Sequence, residues 1–238
     1  MSFIITTYCN EGIVMASDSR ITYNNTSKGQ NDEIINNVGI NLSDNVNKLF
    51  LTKNGIGIST CGTAAIVNFE SNVAEPISGH VEKIINEEIY EEDNVDIVVE
   101  KIIKYFDKFN NNLDTTFHVA GYDKEFNRKI VRFNLATGKR EDFGKEIAGA
   151  TWDGETIYFS KLFNETEVSG NSKFVFPQLD IPFQFFNLQD AIDFCRFAID
   201  ITIKTMRFTN VVKTVGGNID VLGIKPDEEI WISKKELY

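Results

Sequence analysis

The chain has 238 residues, of which 42% are hydrophobic and 25% are charged, and its net charge is −11. This balance is typical of a globular protein with a sizeable core, and the acidic excess argues against nucleic-acid binding, which needs a basic surface. No basic segment followed by an apolar run marks a signal peptide, and no apolar segment is long enough to span a bilayer. The composition therefore predicts a cytoplasmic protein without nucleic-acid or membrane partners.

The first elements in chain order are two hairpins. "FIITTY" and "GIVMAS" flank a turn that contains Gly12, and "VNKLFLTKNGIGISTCG" places a turn at Lys53, Asn54 and Gly55 between two apolar runs. Residues 23–44, between the hairpins, are rich in Asn and weakly patterned. They are predicted to form mainly a long surface loop, an insertion with at most one short strand.

Helical patterns follow the second hairpin. One apolar face, with Pro76 as an interruption, is predicted from Ala65, Val67, Phe69, Val73 and Ile77. "NVDIVVEKIIKYFDKF" has the spacing of an amphipathic helix. Later, Asn187 and Asp190 have the N-cap spacing before "LQDAIDFCRFAIDITIKTMRF", a helix that ends in basic residues.

Strand patterns lie between and after these helices, in "DTTFHVAGYDK", "KIVRFNLATGK", "KEIAGATWDG" and the shorter "FVFPQ". The tail reads as a strand, a Pro-Asp turn and a last strand. Blocks of strands separated by helices, without βαβ alternation, indicate an α+β fold with antiparallel sheet. We expect one domain over residues 1–238, in which two sheets facing each other with helices outside would bury the apolar strands.

Cysteine and histidine usage limits the chemistry. Cys9, Cys61 and Cys195 are odd in number and widely spaced, which suits a reducing compartment. His80 and His118 have no metal-ligand spacing and offer few candidates for a Ser-His-Asp triad. The sequence therefore predicts no metal and no cofactor, and both histidines are expected to be structural or exposed.

The open ends of the two hairpins are polar. With a turn near Asn10 and Glu11, antiparallel pairing gives partner numbers that add to about 20 or 21, which places Ser2 beside Asp18. The second turn places Lys48 opposite Ser59 or Thr60, close to Gly62. If the hairpins are neighbours in one sheet, Ser2, Asp18, Lys48 and Gly62 would cluster.

Such a cluster supports nucleophilic catalysis. If Met1 is removed, Ser2 carries a hydroxyl and a free α-amine, whose unperturbed pKa of about 8 suits a general base. The amine would activate the hydroxyl as in N-terminal nucleophile enzymes. The charge of Lys48 would disfavour protonation of the amine, Asp18 would hold Lys48, and the amide of Gly62 could stabilise an oxyanion.

Several motifs in the same order resemble those of proteasome-type β-subunits, in the N-terminal nucleophile (Ntn) hydrolase superfamily. "SDSR" matches the family's "DSR", sixteen residues after Ser2, and "VNK" matches its lysine motif after an insertion. "TCGTAA" places Gly62 fourteen residues after Lys48, and "AGYDK" and "NLQDAIDFCRFAI" match a turn and a helix of the family. The resemblance, of the bacterial proteasome-related type, runs over nearly the whole chain. It implies a four-layer αββα sandwich of two antiparallel sheets flanked by helices.

The resemblance also implies residue roles. Ser2 would be the nucleophile, Asp18 and Lys48 would orient and activate it, and Gly62 would supply the oxyanion amide. The family's substrate-binding positions correspond to Thr22, Val46, Thr60 and Ala64. Three features depart from the family: the nucleophile is Ser where Thr is usual, the later serine aligns with Ala150, and no supporting acid lies between residues 206 and 216.

The function implied is that of a proteasome-like N-terminal serine peptidase or amidohydrolase, acting through an acyl-enzyme on Ser2. The alternatives are a catalytically inactive scaffold subunit and a hydrolase of small amides in the same superfamily. The resemblance further implies rings or helical assemblies of identical subunits, and leaves open a partner unfoldase, which no residue identifies. The Phe-rich stretch "FVFPQLDIPFQFF" suits either a core or a subunit interface.

Other residues compete for these roles. Thr6 and Thr7 could be the nucleophile only after removal of a propeptide, and pairing places Thr6 away from Asp18. Cys9 lies in the first turn and is expected to be structural. Asp18 and Lys48 could equally form a plain ion pair at the end of a sheet.

Overall fold

The computed structural model describes residues 2–28, 33–68, 73–109, 113–168, 170 and 174–235. Two antiparallel five-stranded sheets form the centre. The first contains, in spatial order, β12 (Gly149–Gly154), β1 (Phe3–Cys9), β2 (Gly12–Ser17), β15 (Asp220–Ile224) and β16 (Glu229–Ser233). The second contains β11 (Arg140–Phe143), β10 (Arg128–Asn134), β9 (Thr115–Tyr122), β6 (Gly57–Gly62) and β5 (Leu49–Leu51).

Helices cover the outer face of each sheet. α1 (Ile77–Glu87) and α2 (Val95–Phe106) lie on the second sheet, whereas α3 (Ile157–Ser160) and α4 (Leu188–Phe208) lie on the first. Separate apolar clusters fill the space under each helical layer and the space between the sheets. The protein is therefore a four-layer αββα sandwich of the α+β class, as the sequence predicts.

The sequence predicts the two long helices because their caps and spacing agree. The Asn94 side chain accepts the Ile97 N–H at the start of α2, and Asn187 and Asp190 form a reciprocal capping box at the start of α4. Both helices bury one apolar face against a sheet. No helix in the described ranges combines the length and hydropathy needed to cross a membrane.

The interpretation of residues 23–44 as mainly a surface loop is wrong. β3 (Ile21–Lys28) and β4 (Ile34–Ser43) form a long antiparallel hairpin outside both main sheets. Its register shifts near Tyr23, and polar pairs such as Thr26 with Asn36 occupy the ladder. Backbone pairing therefore orders a segment whose Asn content is typical of turns.

The helical face predicted from residue 65 onward is also wrong. β7 (Ala65–Asn68) and β8 (Val73–Pro76) pair as a second hairpin, and the helix starts only at Ile77. Pro76 is the N-cap of α1 and not an interruption inside it, because proline lacks the N–H that a helix interior uses. Phe69 lies outside the described residues. A third hairpin, β13 (Thr166–Val168) with β14 (Phe174–Phe176), precedes α4.

Candidate functional site

The first strand pair has the predicted register. Ile4 pairs with Ser17 and Cys9 with Gly12, so partner numbers add to 21. Ser2, just before β1, is 7% exposed. Its carbonyl accepts the Glu155 N–H at 2.8 Å, and this contact fixes the backbone at the start of the chain against the segment after β12.

Asp18, directly after β2, is fully buried and accepts hydrogen bonds from four groups. Its Oδ1 accepts the Phe3 N–H at 3.0 Å and lies 2.8 Å from Lys48 Nζ. Its Oδ2 accepts the N–H groups of Arg20 at 3.2 Å and Gly216 at 3.0 Å. These donors hold the carboxylate in place and offset the cost of burying its charge.

Lys48 lies at the end of the other hairpin, where the sequence places it. Leu49 pairs with Ser59, and the Thr60 N–H donates to the Lys48 carbonyl at 3.0 Å. The Lys48 side chain is buried, and its Nζ also donates to the carbonyl of Arg20. The ammonium is therefore held between the carboxylate of Asp18 and a backbone carbonyl.

The two hairpins are not neighbours in one sheet. β1 and β2 belong to the first sheet, whereas β5 and β6 belong to the second. The polar ends still meet, because the sheets pack face to face and Lys48 crosses from one to the other to reach Asp18. Ser2, Asp18, Lys48 and Gly62 do come together, but the two hairpins belong to different sheets and are not neighbours in one sheet as the sequence argument assumed.

Gly62 ends β6 in a backbone conformation that favours glycine. Its φ is +109°, and a Cβ atom there would lie 2.2 Å from the carbonyl oxygen of Asp114. Any larger residue would therefore be strained and would collide with backbone. Gly62 is also part of a cleft wall, so its role as a strand-end glycine and a role at the site are compatible.

These elements enclose a small cleft, with about 30 Å³ of space open to water, which we call the Ser2 cleft. Seven of the eight predicted site residues line it: Ser2, Thr22, Val46, Lys48, Thr60, Gly62 and Ala64. The eighth, Asp18, lies behind Lys48. Residues that the sequence argument missed also line it: Ile21, Asn47, Cys61, Thr63, Ile77 and Ser78. The sequence offered one signal for Ile77 and Ser78. Pro76 directly precedes them, and it marks the start of α1.

The structure places two of the departures from the family motifs, Ala150 and the segment after α4 that lacks an acid. Ala150 pairs with Thr7, which places it away from Ser2 along β1. The backbone that does contact Ser2 is that of Glu155. The segment after α4 contributes the Gly216 N–H to Asp18, a backbone group that no side-chain motif could reveal.

The loop after Asp18 is fixed by a bidentate ion pair. Arg20 donates from Nε to Asp44 Oδ1 at 2.6 Å and from a terminal nitrogen to Oδ2 at 2.8 Å, and also contacts the Lys213 carbonyl at 3.3 Å. The hydrogen bond from Arg20 lowers the pKa of Asp44. This pair ties the end of β4 to the loop of Asp18, beside the Ser2 cleft.

A second polar network lies between the sheets; we call Thr6, His118, Asp153 and Arg132 the inner network. Thr6 Oγ1 is 2.9 Å from His118 Nδ1, and His118 Nε2 is 2.9 Å from Asp153 Oδ2. Arg132 donates to Asp153 Oδ1 at 2.6 Å. An ionised carboxylate only accepts, so His118 carries its proton on Nε2 and accepts the Thr6 hydroxyl at Nδ1.

Burial shifts the pKa values of His118 and Asp153 in the inner network. Burial lowers the pKa of His118 and outweighs the raising effect of Asp153, so the imidazole is neutral. Burial raises the pKa of Asp153, but the hydrogen bond from His118 and the charge of Arg132 outweigh it and leave that pKa lowered. His118 is structural, as expected. So is His80, which is buried against Tyr105 at 3.0 Å.

The competing nucleophiles are inaccessible. Thr6 and Thr7 are fully buried within β1, and the Cys195 thiol contacts the Thr7 hydroxyl at 3.2 Å. Burial raises the pKa of Cys61 and raises that of Cys195 to about 12, so both thiols are protonated at neutral pH. Among the described residues, no group of three or more metal-ligating side chains is positioned to hold a metal ion.

Comparison with known proteins supports the fold. No protein-family model and no curated protein matches the sequence. Among solved structures, the chain is similar to the Anbu (Gly-1) mutant from Hyphomicrobium sp. strain MC1, with a TM-score of 0.57 and 14% sequence identity. The similarity covers 98% of this chain and 88% of that chain. At this identity the likeness is one of fold, and that fold is proteasome-like.

Proposed function

We propose that the protein is an N-terminal serine hydrolase that cleaves peptide or other amide bonds through an acyl-enzyme on Ser2. The observation that carries the proposal is the composition of the Ser2 cleft. Its lining brings Ser2, Lys48 and Gly62 together, and the Lys48 ammonium is fixed by buried Asp18 at 2.8 Å. A hydroxyl nucleophile, a cation and a backbone amide suit acyl transfer when a base, here the α-amine of Ser2, is beside the hydroxyl.

Acylation follows from these groups once Met1 is removed. The free α-amine of Ser2 takes the hydroxyl proton, directly or through a water molecule, while Oγ bonds to the substrate carbonyl carbon. The resulting oxyanion is stabilised by the Gly62 N–H and by the charge of Lys48. Collapse breaks the carbon–nitrogen bond, the departing amine takes the proton from the ammonium, and an ester on Ser2 remains.

Deacylation repeats the sequence with water. The α-amine, neutral again, takes a proton from a water molecule that attacks the ester, and the same oxyanion contacts apply. The carboxylic acid is released and the Ser2 hydroxyl regains its proton. The positive charge of Lys48 favours the neutral form of the amine throughout, so the base is available near neutral pH.

The rest of the cleft would bind substrate. Val46, Thr60 and Ala64 line the cleft and would contact the side chain that precedes the cleaved bond, and Thr22 would contact the substrate backbone. The space open to water is about 30 Å³, well below that of a typical ligand site. The cleft as it stands would therefore take only a small group, such as a short side chain of a peptide or a small acyl group.

An electrophilic peptide probe tests the proposal. Purified protein should have an intact mass that lacks Met1, and the probe should add to Ser2. Ser2→Ala should reduce covalent labelling at least about 100-fold, because it removes the hydroxyl that the α-amine activates and burial keeps the Cys61 thiol of the cleft protonated.

Two results would contradict this function. Quantitative retention of Met1 would block the amine base, and undiminished labelling of Ser2→Ala would remove Ser2 from the chemistry. A protein that has lost Met1 but never labels would instead favour the inactive scaffold.

We also propose that identical copies assemble in the cytoplasm. Part of the Phe-rich stretch packs against the protein and part of it is exposed. Phe183 and Phe186 pack on Phe194. The exposed side chains are those of Phe174, Phe176 and Phe185. Exposed aromatic side chains in one segment are typical of an interface. Sedimentation velocity should show an oligomer, and a monomer at micromolar concentration would contradict this part.

A further inference from the structure

A second buried Lys–Asp pair lies beside the loop that carries Asp18. The side chains of Lys235 and Asp220 are 2% and 3% exposed, and Lys235 Nζ contacts Asp220 Oδ2. The backbone N–H of Lys235 also donates to Asp220 Oδ1 at 2.9 Å. Because Asp220 begins β15 and Lys235 follows β16, the pair fixes the segment directly after β16 against the first sheet.

This pair reaches the loop through one hydroxyl. Lys235 Nζ lies 3.2 Å from Ser19 Oγ, which in turn donates to the Asn218 carbonyl at 2.8 Å. The Ser19 hydroxyl therefore accepts from the ammonium and donates to backbone. Ser19 itself is fully buried.

The backbone of Ser19 continues the connection to the Ser2 cleft. Its N–H donates to the Gly216 carbonyl at 3.0 Å, and its carbonyl accepts the Val46 N–H at 2.9 Å. Gly216 also donates to Asp18, and Val46 is a wall of the cleft. A shift of Ser19 would therefore move both the carboxylate that holds Lys48 and the pocket wall.

Side-chain contacts matter here because residues 18–20 belong to neither β2 nor β3. Beyond the backbone hydrogen bonds of Asp18 and Ser19, a segment outside the strands takes its position from the groups packed around it. A buried charge pair keeps its geometry strictly, because either ion without the other would be left unpaired in the interior. These properties suit a fixed point from which an active-site loop is positioned.

We propose that Lys235 and Asp220, acting through Ser19, are positioning residues for the reaction at Ser2; we call them the C-terminal latch. The inference rests on the proposed function. The latch contacts neither the Ser2 hydroxyl nor the lining of the cleft, so its effect is on the placement of Asp18 and Val46. Its loss slows bond formation at Ser2 more than it weakens binding.

The test compares two double variants. Asp220→Asn with Lys235→Met removes both latch charges together, so neither ion is left buried and unpaired. The matched control is Lys225→Met with Glu228→Gln, which removes an exposed pair from the turn between the same two strands.

We expect the latch variant to fold, as judged by circular dichroism, and to label with a maximal rate about tenfold lower. The probe concentration at half-maximal rate should change less than twofold, and the control should match wild type in both. Lys235→Arg, which keeps the charge, should retain most of the rate.

Hydrogen–deuterium exchange gives a readout that does not need activity. The amides of Ser19, Val46 and Gly216 should exchange faster in the latch variant than in wild type or the control. If the double variant fails to fold, Ser19→Ala removes the hydroxyl contacts alone and should give the same faster exchange.

The outcomes separate the two proposals. Wild-type rates and exchange in a folded latch variant, or in Ser19→Ala where the double variant does not fold, would overturn the latch. The latch would also be overturned if the labelling rate of the control variant fell as much as that of the latch variant. If wild type never labels but the latch variant exchanges faster, the proposed function fails, and the latch is retained only as a group that positions the loop of Asp18 and Val46.

Discussion

Two regions of the molecule place a hydroxyl beside a nitrogen base and a carboxylate. In the inner network, Thr6 donates to neutral His118, whose other nitrogen donates to Asp153. At the Ser2 cleft, the base would be the amine of Ser2 itself, and the Lys–Asp pair lies beside it. Judged by hydrogen-bond geometry alone, the inner network more closely resembles a catalytic triad.

Access separates the two regions. Thr6 is fully buried in the middle of β1, with strands on both sides, whereas Ser2 precedes the strand and borders a cleft. The Thr6 hydroxyl and the His118 imidazole are both fully buried, so a substrate carbonyl cannot reach them. The comparison teaches that a hydroxyl, a base and an acid constitute a site only where substrate can reach them.

Their energetic roles differ accordingly. The inner network satisfies buried polar groups and joins the two sheets, because Thr6 belongs to the first sheet and His118 to the second. Such a network contributes to stability and to a unique packing. The Lys–Asp pair of the cleft is buried at some cost in desolvation, a cost that an arrangement for catalysis would explain.

The largest expected difference between the regions comes from Lys48→Ala. It should lower the labelling rate of Ser2 by about 100-fold or more, because the neutral amine and the oxyanion both depend on the lysine charge. Lys101→Ala, which removes an ion pair with Asp93 away from the cleft, should leave the rate within twofold. Rates from intact-mass time courses give the comparison.

Thr6→Val is the matching change in the inner network. It keeps the shape of the side chain but leaves His118 Nδ1 without its donor, so it should lower the free energy of unfolding by about 1–3 kcal/mol. Labelling should stay within twofold. Equal losses of labelling for Lys48→Ala and Thr6→Val would break the distinction drawn between the two regions.

A smaller effect should appear in the pH dependence of stability. Because the pKa of His118 is lowered in the folded protein, the unfolded chain binds a proton below about pH 6.5 that the folded chain does not. The free energy of unfolding should therefore fall as pH drops from 7.5 to 5.5. The contribution of this one histidine should be about 1 kcal/mol.

His118→Gln isolates that contribution. Urea unfolding at both pH values should show a shallower dependence in the variant than in wild type. An identical dependence in the two proteins would mean that the pKa of His118 is the same in the folded and unfolded states.

The local geometry of the site could be read from the sequence because it rests on short-range rules. Turn position fixed the register of β1 with β2 and of β5 with β6, which placed Ser2 near Asp18 and Lys48 opposite Thr60. Caps and apolar spacing likewise fixed α2 and α4. Each of these inferences depends on residues close together in the chain.

What could not be read depends on long-range packing. That the two hairpins lie in different sheets, and meet across the sandwich, is a property of the whole fold. The donation from Gly216 to Asp18 is made by backbone, which leaves no residue-type signal. The β3–β4 hairpin was missed because its Asn-rich composition resembles that of turns while its backbone pairs as strand.

The backbone conformation of Gly62 makes the residue at this position difficult to vary, whereas the other side chains that line the cleft are free to change. A φ of +109° and the approach of the Asp114 carbonyl restrict this position to glycine, whatever the side chains around it. The side chains of Val46, Thr60 and Ala64 can therefore change in size or polarity while position 62 stays glycine. Substrate preference could then diverge among relatives, or be redesigned, while the group proposed to stabilise the oxyanion stays in place.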